Sequence, residues 1–187
     1  MPLTSIYNVS YYNSSTTYAL YDIVLYSVGG TNQYFYSLKY SNTSNPTITS
    51  AWGGYKSYNT PYGSPISAPE FFWIPNYSSD IENKPSISLI KFGDGYEQRM
   101  ADGVNNSFLK LNLIFEGRTE REMRAIVHFL NARKGFQPFF FRYAYPYNYD
   151  AASQNYPKRF VVDEFKSRAV FYDNYTVNAK FSETANI

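Results

Sequence analysis

The sequence predicts a mainly β protein: an antiparallel β domain with one α-helix packed against it, preceded by a small all-β unit. Three observations lead there. Side chains suited to pleated, half-buried surfaces are abundant, with 21 Tyr and 15 Phe in 187 residues. Strand-like runs recur between clusters of Gly, Pro and Asn. Only one stretch carries the 3.6-residue period of a helix.

Charge divides the chain. Residues 1–75 contain only Asp22, Lys39, Lys56 and Glu70 as charged side chains, together with 12 of the 21 tyrosines. The remainder is conventionally charged. This predicts an aromatic-rich β unit over 1–54, a linker over 55–69 punctuated by Pro61, Gly63, Pro65 and Pro69, and a second domain over 70–187. In the first unit, Tyr21–Tyr26 and Tyr34–Tyr40 are strand candidates, and Val28–Asn32 with its two glycines is the loop of a hairpin. Asn42–Pro46 is a turn cluster, followed by Trp52.

In the second domain, Ser86–Phe92 and Tyr96–Met100 flank the turn Gly93-Asp94-Gly95, whose glycines permit the positive φ of a tight hairpin. Phe108–Phe115 is the next strand. A helix follows over 119–134: Thr119 and Glu122 form a capping-box pattern, and Met123, Ile126, Val127 and Leu130 share one face. Arg133 and Lys134 suit its C-terminal dipole, and Gly135 is its stop. An aromatic run, Phe136–Arg142, leads into a Tyr-rich loop at 143–149 whose ring density favours a subunit contact. Arg159–Asp163 and Tyr175–Phe181 are the closing strands, with Phe165–Phe171 as a third candidate between them.

Composition removes several function classes. With 17 Lys+Arg against 15 Asp+Glu the net charge is +2, far from the basic signature of a nucleic-acid binder. There is no cysteine, so neither disulfides nor thiolate chemistry exist. One histidine, His128, cannot build a multi-histidine metal site. No apolar run is long enough to span a membrane, and the first residues show no secretory signal pattern. No cofactor or metal is expected, and no catalytic residue is assigned.

The segment Ile90-Lys-Phe-Gly-Asp-Gly-Tyr-Glu-Gln-Arg99 resembles the signature of the phage minor tail protein M family. The resemblance continues through Asp102–Asn105, the helix ending in Phe129–Gly135, the aromatic run after it and the last strand Val177–Phe181. It covers roughly residues 70–187, and the 143–157 region departs from it by an insertion around Tyr147–Pro157. The resemblance implies a β-sandwich or split barrel with a flanking helix, similar to tail-tube proteins. It further implies a homo-oligomer, six copies in a ring at the distal end of the tail. The tube protein would lie above and tip or hub proteins below, with DNA passing through the lumen without specific binding. Phe92, Gly93, Asp94, Gly95, Tyr96, Gln98 and Arg99 are then the assembly motif, and the virion tail is the expected location.

Residues 18–52 are similar, more weakly, to small chitinase-type carbohydrate-binding modules, through Tyr21–Tyr26, Tyr34–Leu38, Asn42, Asn45-Pro46 and Trp52. That likeness makes Tyr34, Tyr36, Trp52 and Tyr55 candidates for stacking on a host-surface glycan. The same four rings are also what a unit of this size without disulfides needs for its own core. Asp94 with Glu97 would suit a hydrolase, whereas turn chemistry alone accounts for the glycines around Asp94. Asp22 could serve a sugar site or a local hydrogen bond. His128 could act as a base or simply pack.

Overall fold

The computed structural model describes residues 9–58, 66–83, 85–92, 95–103, 107–142 and 158–184. Strand β1 (Ile23–Val28) pairs antiparallel with β2 (Thr31–Ser37), and β3 (Trp52–Gly53) completes a small sheet. The hairpin turns at Gly29 and Gly30, with φ of 58° and 80°. Two successive positive φ values define the turn whose twist matches right-handed strands. Below this sheet Tyr18, Val24, Phe35, Ala51 and Trp52 form a compact cluster. Asn42 is buried within it and satisfied: its amide donates to the Ala51 carbonyl at 2.7 Å and to Ser37 Oγ at 3.1 Å.

The principal sheet has seven strands in the order β4-β5-β10-β11-β12-β9-β6. These are β4 (Tyr55–Tyr58), β5 (Ile66–Phe71), β6 (Asp80–Asn83), β9 (Leu109–Arg118), β10 (Phe139–Phe141), β11 (Lys158–Phe171) and β12 (Asn174–Glu183). Every junction is antiparallel except β5–β10. A separate two-stranded ribbon, β7 (Ile87–Lys91) with β8 (Glu97–Ala101), extends the β6–β9 connection. The mainly β class with one helix is as the sequence predicts, and the layers are sandwich-like. Among the described residues no sheet closes into a barrel.

Two sequence expectations are corrected here. The segment 55–69, expected as a linker, is strand at both described ends: Tyr55 faces Pro69 and Ser57 faces Ser67 as β4 and β5 join the large sheet. The Gly and Pro punctuation that suggested a linker is concentrated in 59–65, outside the described residues. The segments 159–163 and 165–171 are one strand, β11, with register shifts at Val162/Glu164 and Ala169/Phe171. Each shift breaks the period of two, so one bulged strand looks like separate short ones.

Helix α1 (Glu120–Ala132) starts where Thr119 Oγ1 accepts a hydrogen bond from the Glu122 N–H at 3.3 Å. The helix ends at Ala132 with Arg133 as its C-cap, short of the expected 134, and the chain has already turned left-handed at Lys134 (φ 50°) before Gly135 (φ 74°). Its apolar face, Ala125, Ile126, Phe129 and Leu130, covers one face of β9, β11 and β12. Alternation does the rest: Leu111, Leu113, Phe115 of β9 and Val177, Ala179, Phe181 of β12 point inward and are buried.

Phe71 lies at the centre of this core. Its ring meets Phe181 at 5.3 Å, Phe141 at 5.4 Å, Phe129 at 5.5 Å and Phe115 at 5.6 Å, all in edge-on orientations. Such pairs add to area burial. Tyr36, from the small sheet, belongs to the same core, 5.2 Å from the Trp73 ring. Phe71→Ala is expected to cost about 3–5 kcal/mol in a urea titration. A loss below about 1 kcal/mol would mean the core closes around the gap.

Candidate functional site

The sequence motif forms the β7–β8 ribbon. Leu89 faces Arg99 and Ile90 faces Gln98, and the turn is closed by the Phe92 N–H donating to the Tyr96 carbonyl at 2.8 Å. Gly95 adopts φ 82°, the positive value that the tight turn requires. Gly93 and Asp94 lie outside the described residues. Lys91 pairs with Glu97 at 3.6 Å across the ribbon. Arg99 makes no ion pair among the described residues.

Both faces of this ribbon meet solvent. Ile87, Leu89, Ile90, Met100, Phe92 (53% exposed) and Tyr96 (74% exposed) are all large and uncovered. An isolated two-stranded ribbon is marginal in water. Clustered exposed apolar side chains mark a contact surface.

The four candidate glycan rings do not form a surface. Tyr36 is fully buried and Trp52 is 1% exposed, with Trp52 Nε1 donating to the Ser44 carbonyl at 2.8 Å. Tyr34 and Tyr36 project from one face of β2 toward α1, whereas Phe35 projects from the other into the small cluster with Tyr55 packed beside it. Asp22 is a local anchor: it accepts from the Ala19 N–H at 2.7 Å and from Arg121 at 3.0 Å.

Sequence reasoning did not foresee the pair that joins the small sheet to the helix. Tyr36 Oη lies 3.0 Å from His128 Nδ1, and the Tyr34 ring meets the His128 ring edge-on at 4.6 Å. The available signal was a single imidazole beside the apolar helix face, which in a buried setting requires a hydroxyl or carbonyl partner. Burial, with the nearby Arg133 guanidinium, pushes His128 down to about 4. The neutral ring shares this hydrogen bond with the tyrosine hydroxyl, its tautomer setting which of the two donates.

An open groove of about 1060 Å³ separates the N-terminal unit from the first turn of α1. Its charged side chains are already engaged: Arg121 with Asp22 at 3.0 Å, Arg124 with Glu120 at 2.5 Å, and Asp173 with the Glu120 N–H at 2.8 Å. Among the described residues no group of acidic and imidazole side chains could hold a metal ion, and no helix is long and apolar enough to cross a membrane.

A layered β protein with a densely packed aromatic interior and a projecting apolar ribbon belongs to the class that is built into larger assemblies. The model of the phage minor tail protein family matches residues 69–185, and the chain belongs to that family. It is a structural component of a phage tail. Among curated proteins none matches this chain.

His128 makes stability depend on pH. Its pKa is lowered from the unfolded value of roughly 6.5, so the unfolded chain binds the proton more readily. Stability is complete above about pH 6.5 and falls as pH drops toward 4. The melting temperature should decline through that window, and His128→Phe should remove that part of the decline. An identical slope in both proteins would assign the effect to other groups.

Proposed function

We propose that the protein forms a ring at the distal end of the tail tube, joining tube to tip and leaving a hole for DNA. Six copies are what the likeness to the minor tail protein M family implies. The observation that carries the reading is the β7–β8 ribbon, whose exposed apolar residues on both faces require a neighbouring molecule. Rows of β6, β9, β12 and β11 opposite the core support a DNA passage. That face carries Lys110, Lys166, Arg168 and Lys180 against Asp80, Glu82, Asp163 and Glu164. Several are paired: Lys180 and Lys166 both hold Glu164, at 3.1 Å and 3.0 Å. A surface balanced in this way gives phosphates no net cationic field to bind.

The N-terminal unit decorates the exterior of the ring in this reading. Host-glycan binding by that unit is the alternative, and it would have to use rings other than the buried Tyr36 and Trp52.

Light scattering of the purified chain, with electron microscopy of particles labelled at the N-terminus, tests the ring. A multimer in solution, or label around the lower tail, supports it; a monomer absent from particles removes it. The ribbon has its own test. Phe92→Ser with Tyr96→Ser should change unfolding free energy by no more than about 0.5 kcal/mol, because both side chains are exposed. The same variant should lower the yield of complete tails on the order of tenfold, as loss of interface anchors does. Normal yield would place the contact elsewhere.

A further inference from the structure

The groove between the N-terminal unit and α1 has two walls of different origin. Tyr21 and Tyr40 belong to one wall, and Glu120, Arg121 and Arg124 of the first helical turns belong to the other. Junctions between two units are where ligands are most often held. At about 1060 Å³ and open to solvent, this groove has room for several linked units of a polymer rather than one small molecule.

The tyrosines are not there for the fold. Tyr40 is 80% exposed, so its ring contributes little to packing. Tyr21 holds φ 65°, a left-handed conformation that strains a bulky residue and that Gly or Asn would adopt with less strain. Its N–H donates to the Ser37 carbonyl at 2.8 Å, and its hydroxyl hydrogen-bonds to Glu122 on the helix wall. The phenols of Tyr21 and Tyr40 lie near enough to interact electrostatically. Two rings thus share one groove, one exposed and the other pinned.

The polar side chains come as pairs of opposite sign. Arg121 joins Asp22 across the groove and Arg124 joins Glu120 along the helix, and all four side chains keep between 38% and 55% of their surface exposed. Guanidinium groups donate and carboxylates accept, so the rim offers both senses of hydrogen bond. Ions fit poorly. Asp22, Glu120, Glu122 and Asp173 outnumber Arg121 and Arg124 on the lining, which repels polyanions. The Glu120 and Glu122 N–H groups at the helix start are taken by Asp173 and Thr119, so they are not offered to an anion. Among the described residues no three acidic or imidazole groups converge to hold a metal. An extended peptide would need main-chain partners, yet the Tyr21 and Asp22 N–H groups are satisfied by the Ser37 and Ala19 carbonyls.

A neutral polyol with apolar faces fits what the groove offers, and that is the chemistry of a sugar. Its C–H faces stack on aromatic rings, and its hydroxyls both donate and accept. We propose that this groove binds a neutral host-surface polysaccharide, with Tyr40 and Tyr21 against sugar rings and Arg121, Arg124 and Glu120 bonded to hydroxyls. The site rests on the alternative reading of the N-terminal unit given above, and it replaces the buried Tyr36 and Trp52 with rings that a ligand can reach. Helix α1 covers the sheet face opposite Lys110 and Lys180, which in the ring reading is the outside. Several copies displayed on one particle would turn weak single contacts into firm attachment.

The test uses the labelled full-length chain on an array of neutral oligosaccharides of glucose, galactose, rhamnose and N-acetylhexosamines, with sialylated and phosphorylated glycans beside them. At least one neutral oligosaccharide should bind. Tyr40→Ala should weaken that binding about tenfold, the size of one lost ring contact, and Arg121→Ala with Arg124→Ala should weaken it as much. Both variants change exposed side chains, so their melting temperatures should match that of the natural chain. Tyr96→Ala, on the ribbon and outside the groove lining, should bind as the natural chain does. If both groove variants bind a neutral oligosaccharide unchanged, or Tyr96→Ala alone loses it, the groove is overturned while glycan recognition survives elsewhere on the chain. Binding of charged glycans alone overturns the neutral assignment. If no glycan binds, the alternative reading fails together with the site, and the ring reading is untouched.

Discussion

Burial of the Phe71 ring is the contact on which the rest of the architecture depends. Its strand, β5, is held antiparallel to β4 on one side and parallel to β10 on the other. The ring reaches past both to the helix residue Phe129 and to Phe115 and Phe181 on the far strands. One side chain therefore ties the Tyr-rich region of the chain to the conventionally charged region. Around it, aromatic edges meet aromatic faces, a packing that favours fixed relative orientation over mere contact. The buried Tyr36 and His128 pair extends this core into the small sheet with a hydrogen bond where an apolar contact would have been less directional.

The packed side and the open side divide the labour. Helix α1, the small sheet and the buried strand faces form a finished interior. The β7–β8 ribbon and the polar sheet face remain exposed among the described residues. A tail component needs both properties, since a rigid body must present surfaces that only its neighbours complete.

Much of this was legible beforehand. Helix α1 could be read because Thr119, Glu122 and the apolar spacing agree locally, and the hairpins because Gly29-Gly30 and the Gly-Asp-Gly triplet have few other uses. What escaped notice shares a cause: it depends on which strands are neighbours. Tyr34, Phe35 and Tyr36 are aromatic on both faces of β2 because both faces are covered, so the sequence shows a run without alternation. The bulges of β11 hid a long strand behind shifted periods. Acidic Asp80 and Glu82 look like an ordinary solvated turn until the sheet order makes them a border strand.

The Tyr36–His128 bond joins residues 92 positions apart. A ribosome adding roughly 5–20 residues per second needs on the order of 5–20 s to travel that distance. For that interval the small sheet has emerged with the Tyr34 and Tyr36 rings facing no helix. Synthesis thus leaves a sticky aromatic face waiting for its cover, and in a crowded host cell that wait is the period when nascent copies are most prone to clump or to recruit a chaperone.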